Sequence, residues 1–330
     1  MNLAASTLLA LSLCTTADVD RPIVLVVVGT PGTPEYEVTY QSWVARWRDT
    51  AAKAGADFVA IGDKKSPSGD KAPEPTPSDH DRLRDWLADR SKTKPSGTLW
   101  LVLIGHGSFD GREAKFNLRG PDVTDSELAQ WLKPIEGPVA VLDCSSSSGP
   151  FLSKLSGPNR VVVTATKTGV EQNYARLGQY LAEAWTNPRA DLDKDGQTSL
   201  LEAFLIAGKQ TADFYKTKAR LSTEHALIDD NADGKGTPAD WFEGIRLARK
   251  PKGTAAADGL KAHQFHLIRT ERDRQASPEL IRRRNELELQ VAALQDKKKT
   301  LEEADYYRQL ETLMVEVART YDESSTDTKP

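Results

Sequence analysis

Between residues 23 and 166, unbroken apolar runs alternate with segments whose apolar positions recur at helical spacing. Ile23–Val28 reads IVLVVV, a β-branched run without polar alternation, as expected of a strand buried on both faces of a parallel sheet. The segment after it sets Tyr36, Tyr40, Trp43, Val44, Trp47 and Ala51 on one stripe beside Glu37, Arg46 and Arg48, which predicts an amphipathic helix. Asp57–Ile61 (DFVAI) predicts a second strand, and residues 62–78, rich in Pro, Lys, Asp and Ser, predict an exposed loop. Ser78 or Asp79 caps a helix carrying Leu83, Trp86 and Leu87, and residues 98–105 (TLWLVLIG) form the third strand. Thr124 with Glu127 is a capping box. Val139–Asp143 and residues 160–166 are two further strands, followed by a helix over about 173–185.

Strands alternating with helices predict an α/β fold with a mostly parallel sheet, whose ligands bind at the carboxyl ends of the strands. The α/β domain is expected to span residues 22–248. Residues 249–276 read as a linker, beginning in Lys, Gly and Ala, and Ser277-Pro278 opens an α-helical extension over 277–323, with Leu280, Leu287, Leu294 and Leu301 seven residues apart. The positions between those leucines are mixed, so a helical hairpin with Tyr306, Leu310, Leu313 and Val317 is expected rather than a long coiled coil. That extension is a candidate surface for a protein partner. Residues 324–330 read as a disordered tail.

Composition then narrows the function. Lys plus Arg number 44 against 48 Asp plus Glu in 330 residues, a net charge of −4, so no cationic field attracts a nucleic acid. No run of 18 apolar residues occurs, and no membrane span is expected. Residues 1–17 pair an apolar stretch, Leu3 to Leu13, with the small residues of Thr15-Thr16-Ala17, the pattern of a signal peptide, although no Lys or Arg precedes it. Export to a periplasm, cell envelope or extracellular space is the expectation. Cleavage after Ala17 removes Cys14 and leaves Cys144 as the single cysteine, either buried and inert or kept for its reactivity.

The candidate chemistry sits at two strand ends. Ile104-Gly105-His106-Gly107-Ser108 places an imidazole between glycines, where a backbone N–H beside a general base suits acyl transfer. Leu142-Asp143-Cys144-Ser145-Ser146-Ser147-Ser148-Gly149 follows 38 residues later on the adjoining strand. A thiolate needs only modest activation to act as a nucleophile. In these residues the chain resembles the caspase-like cysteine peptidases, and among them the legumain family, over roughly residues 22–241. The resemblance implies a caspase-like three-layer sandwich, with His106 as base, Gly107 N–H in an oxyanion hole, a nucleophile in the 143–149 turn, and Thr164, Ala165 and Thr166 as a substrate-binding edge for a peptide or protein. The family's turn reads Ala-Cys-x-Ser-Gly. Registering Ser148-Gly149 on its ending puts Ser146 in the nucleophile's place, registering Asp143 on its acidic residue puts Ser145 there, and an extra one or two residues in the turn would leave Cys144 to attack. A serine without a tuned base is a poor nucleophile, so a catalytically inactive binding scaffold stands beside the peptidase reading. No third triad member is evident, Asp110 and Glu113 being loop carboxylates.

Residues 191–202, DLDKDGQTSLLE, fit the twelve-residue calcium loop, with Asp191, Asp193, Asp195, Gln197, Ser199 and Glu202 at the ligand positions and Gly196 at the sharp turn. A single Ca²⁺ is the cofactor this implies. Asp229 to Gly234 is acidic but lacks a Glu at its twelfth position and reads as a loop, and His263 and His266 read as packing residues.

Overall fold

The computed structural model describes residues 21–63, 77–94, 97–249 and 257–326. The expected signal peptide and most of the 62–78 loop lie outside these residues. The first half of the chain follows the expected alternation: β1 (Ile23–Val28), α1 (Pro34–Ala54), β2 (Asp57–Ile61), α2 (Asp79–Thr93) and β3 (Leu99–Ile104). The caps expected at Ser78 and at Thr124 with Glu127 are present, and Thr33 supplies one more, at α1. Thr33 and Ser78 accept from the N–H three residues on, and Thr124 with Glu127 forms the full capping box of α3 (Asp125–Leu132). Next come β7 (Val139–Asp143), α4 (Gly149–Leu155), β8 (Arg160–Thr164), α5 (Leu177–Ala184), α6 (Leu200–Thr217), β9 (Leu227–Asp229) and β10 (Thr237–Pro238).

These strands form one seven-stranded sheet in the order β10-β9-β8-β7-β3-β1-β2. From β2 to β8 every pairing is parallel, and β9 and β10 add antiparallel neighbours at one side. Alternate side chains of each central strand enter two separate cores, so one apolar run serves both faces. Val24, Val26, Trp100, Val102, Ala140 and Leu142 pack against α1, α5 and α6, while Leu25, Val27, Leu99, Leu101, Val139 and Val141 pack against α2, α3 and α4. The protein is therefore a mixed α/β, three-layer sandwich. Trp43, Trp47 and Trp100 are fully buried in the first core, and Trp185 packs edge-on against Trp100 with centroids 5.2 Å apart.

Three elements depart from the sequence reading. Residues 107–124, read as loop, hold a small antiparallel sheet of β4 (Gly107–Phe109), β5 (Ala114–Phe116) and β6 (Val123–Thr124), whose Phe116 and Val123 complete the second core. The helix expected from 173 begins only at Leu177, because the carboxylate of Glu224 accepts the N–H groups of Arg176 and Leu177 and holds the preceding backbone in another path. The described part of the 249–276 linker is packed, not free: α7 (Leu260–His263) and α8 (Glu271–Gln275) lie here, with Ala262 and Leu267 in the first core. The hairpin β11 (Phe242–Glu243) and β12 (Arg246–Leu247) precedes it. Beyond it, α9 (Pro278–Asp296) and α10 (Glu303–Thr326) pack on each other as the expected helical hairpin, and α10 runs three residues into the segment read as a disordered tail.

Candidate functional site

At the carboxyl end of β3, His106 turns toward α1. Its ring stands edge-on to Tyr36, with centroids 5.0 Å apart, and to Tyr40 at 5.8 Å, and Tyr174 lies 6.3 Å away. Its Nε2 is 3.2 Å from the carbonyl oxygen of Pro31. A carbonyl only accepts, so Nε2 is the donor in this contact and Nδ1 is the ring nitrogen left free to accept. Pro31 supplies the orienting group that the sequence left unassigned, and it does so through backbone, which no side-chain pattern announces.

Gly107 is where the chain crosses the 143–149 turn. A Cβ there would stand 2.2 Å from the carbonyl oxygen of Ser146, an approach only glycine permits. The Gly107 N–H, expected to face a substrate oxyanion, donates instead to Ser146 Oγ at 3.0 Å, and that hydroxyl lies 3.1 Å from the Gly107 carbonyl. Each of the other turn residues also finds an inward place. Ser145 Oγ donates to Asp143 Oδ1 at 2.6 Å, which also accepts the Ser145 N–H. Ser148 Oγ accepts the Thr166 N–H, and Thr166 Oγ1 accepts the Gly149 N–H. Ser147, at φ 55°, donates its N–H to the Glu171 carbonyl. From Asp143 to Ser148 no residue is more than 2% exposed.

Cys144 is part of this buried turn and points into the first core. A Cβ on Gly178 of α5 would stand 2.7 Å from the Cys144 Cβ and equally close to the Trp43 ring, so the missing side chain at 178 is what lets the cysteine fit. Burial pushes its thiol well above the ordinary range, and the neighbouring Asp143 carboxylate adds to the shift. The hydrogen bond that its Sγ makes runs to the Leu142 carbonyl, at 3.7 Å. Burial likewise raises the Asp143 carboxyl to about 7, against the two hydrogen bonds from Ser145 that lower it.

Thr164, Ala165 and Thr166 are completely buried between β7 and β9. The Ala165 N–H donates to the Asp143 carbonyl and Thr164 Oγ1 to the Thr166 carbonyl. They brace the serine turn and present no open edge; exposure begins one residue on, at Lys167 and Thr168, and reaches 74% at Val170.

Beside His106, and sharing Tyr36 and Tyr174 with it, opens a cleft of about 550 Å³ walled also by Phe214 and Tyr215. Arg176 and Arg220 line it. The Arg176 guanidinium lies over the Phe214 ring at 3.9 Å and the Tyr174 ring at 5.4 Å, and among the described residues neither arginine forms an ion pair. Below them Glu224, 3% exposed, takes the N–H groups of Arg176 and Leu177 and the Tyr215 hydroxyl; burial raises its carboxyl despite those donors. Glu171, whose carbonyl holds Ser147, pairs through its carboxylate with His225 at 2.6 Å. Asp110 instead closes its own turn by accepting the N–H groups of Arg112 and Glu113.

The 191–202 loop has another character. Asp191, Asp193 and Asp195 accept the N–H groups of Gly196, Asp195 and Gln197, with Lys194 and Gly196 at positive φ. Glu202, 1% exposed, accepts from the backbone of Leu192 and Asp193 with one oxygen and from Ser199 with the other, in the capping box of α6. Two groups of side chains bring their ligand atoms within 4.8 Å of one another: Asp191, Asp193 and Asp195, and Asp193, Glu202 and His263. His263 Nε2 is 2.9 Å from Asp193 Oδ2. His266 is held in an unionised state by burial, its pKa lowered to about 4.

No family model matches the chain, and no curated protein matches it. Among solved structures it is similar to the Drosophila initiator caspase Dronc, at a TM-score of 0.40 and 13% identity over 66% of this chain and 82% of that one. It is also similar to caspase-1 from Spodoptera frugiperda, at a TM-score of 0.39 and 9% identity over 64% of this chain and 86% of that one.

Proposed function

We propose that this protein is a peptide-binding module built on a caspase-like α/β scaffold, and that the cleft beside His106, not a cysteine nucleophile, is its working site. The observation that carries this reading is the inward closure of residues 143–148, in which Cys144 packs against Gly178 and Trp43 and each serine is at most 1% exposed. A nucleophile must meet both its base and its substrate. Here the hydroxyls of Ser145, Ser146 and Ser148 are spent on Asp143, Gly107 and Thr166, that of Ser147 is buried without a partner, and the oxyanion amide is spent on Ser146. The cleft offers what the turn lacks: aromatic walls and two guanidiniums without carboxylate partners among the described residues, suited to an extended peptide bearing a carboxylate side chain. Segment 167–173, exposed for most of its length, borders it.

One observation favours a second reading, serine-type hydrolysis at Ser146. The Pro31 contact leaves Nδ1 of His106 in the basic tautomer, one residue from the amide that holds Ser146. Labelling separates the two. The full chain is treated with a fluorophosphonate and with a thiol-directed electrophile, beside binding of a fluorescent peptide carrying Asp or its Asn counterpart. The binding reading expects no His106-dependent labelling, Cys144 alkylated only after denaturation, and binding of the Asp peptide that Arg176→Gln weakens about tenfold, the loss of one charge-assisted contact. Fluorophosphonate on Ser146 that disappears in His106→Ala establishes the hydrolase, and His106-dependent alkylation of native Cys144 overturns both.

A further inference from the structure

We propose that the 191–202 loop binds one Ca²⁺ and that the ion clamps the C-terminal segment, residues 257–326, to the α/β domain, with His263 holding the Asp193 carboxylate from the segment's side. This rests on residues remote from the cleft and stands or falls apart from its reading.

The loop is built for a cation and is not self-sufficient without one. Four carboxylates converge on it, and Asp191 keeps one oxygen, Oδ1, that is buried and has no hydrogen-bond donor, a costly state for a carboxylate. The serine turn also leaves a buried carboxylate oxygen, Asp143 Oδ2, without a donor, but that carboxylate stands alone, whereas Asp191 faces Asp193 and Asp195. Hard oxygens at alternate positions, with a buried glutamate at the twelfth, are the donor set of Ca²⁺, which takes 6–8 oxygens. A residue from outside the loop holds one of these carboxylates: His263, seventy positions on, has its Nε2 2.9 Å from Asp193 Oδ2 and lies beside Glu202.

The outer side of the same loop holds the C-terminal segment. Gln197 is the hinge of this arrangement: its Nε2 donates to Asp273 Oδ2 at 3.1 Å and its Oε1 accepts the Thr270 N–H at 3.0 Å, which leaves its backbone carbonyl for an ion. The Leu200 N–H donates to the Phe265 carbonyl at 2.8 Å, and Ser199 and His266 form a β-bridge. Asp273 passes the attachment on, accepting both arms of the Arg284 guanidinium of α9 at 2.9 and 2.8 Å. Drawing the carboxylates onto an ion therefore fixes the backbone to which α7, α8 and α9 are tied. Their loosening is the expected consequence of removing it.

The test uses the full chain, freed of metal with chelator, and reads two quantities: binding of Ca²⁺ by titration calorimetry, with Mg²⁺ and Zn²⁺ as comparison ions, and amide exchange of residues 258–296. The expected result is one saturable Ca²⁺ site and at least tenfold slower exchange in 258–296 when it is filled. Asp195→Asn, at an exposed position that leaves the capping box intact, should abolish both. His263→Gln should retain a weaker Ca²⁺ site and lose most of the protection. Absence of saturable Ca²⁺ binding, preference for Zn²⁺, or Ca²⁺ binding that leaves exchange in 258–296 unchanged overturns the proposal.

Discussion

The 143–149 turn and the 191–202 loop are both dense in side-chain oxygens, yet they resolve them oppositely. In the turn, hydroxyls can donate as well as accept, so Ser145, Ser146, Ser148 and Thr166 satisfy one another and the crossing backbone at Gly107, and Asp143 Oδ2 and Ser147 Oγ stay buried without a partner. Ionised carboxylates only accept. In the loop, four carboxylates share backbone N–H groups, the Ser199 hydroxyl and a single imidazole, and Asp191 is left with a buried oxygen unserved. The difference teaches that one unserved oxygen does not make a stretch ligand-seeking, whereas a crowd of carboxylates does: Asp143 is the single carboxylate of its turn, and Asp191 faces Asp193 and Asp195.

The largest way to test that contrast is pH. Burial raises the Asp143 carboxyl from 3.8 to about 7, so the folded state holds this proton more tightly than the unfolded state. Its stabilising effect is complete below pH 4 and is lost as pH rises toward 7, by on the order of 4 kcal/mol for a shift of about three units. Asp143→Asn should flatten this slope, read as the change in unfolding free energy between pH 4 and 8; an unchanged slope would remove Asp143 from the account. Asp258, buried against Asp230 and also raised to about 7, contributes in the same window and is unaffected by that variant. Next in size, Gly107→Ala drives a methyl group into the Ser146 carbonyl and should cost about 3 kcal/mol by chemical denaturation, with or without Ca²⁺. At Ca²⁺ one hundred times its Kd, the wild type should gain about 2.7 kcal/mol and Asp195→Asn nothing, measured as the shift in the denaturation midpoint. The smallest effect belongs to Cys144→Ala, which trims one sulfur from a packed core: about 1 kcal/mol, with peptide binding preserved. Loss of binding on that substitution would return Cys144 to the site.

Most of the scaffold was legible because its signals are local. Runs such as IVLVVV and LWLVLI announce two-sided burial, and Thr124 with Glu127 marks a helix start by spacing alone, whereas the same spacing at Ser199 and Glu202 reads as loop ligands and caps α6 as well. What escaped depends on distance or on backbone. Strands of two or three residues, as in β4, β5 and β6, are too short to carry a period. The packing of 258–276 depends on Leu267 and Ala262 finding a core built two hundred residues earlier. In the site, His106 and the loop carboxylates were readable by residue type, whereas the burial of four consecutive serines ran against their polarity and rests on partners at Gly107 and Thr166. The cleft was invisible, since its walls come from α1, the 173–179 segment and the end of α6.

The packing of Trp100 on Trp185 above Trp43 and Trp47 gives the molecule a divided optical signature. All seven tryptophans precede residue 242, and the segment from 257 onward carries tyrosine but no indole. Indole emission therefore reports on the sandwich and on the 257–276 segment, whose Phe265 ring stands edge-on to Trp100 at 6.2 Å, so a sample in which only the 278–326 hairpin had come away would still fluoresce as native.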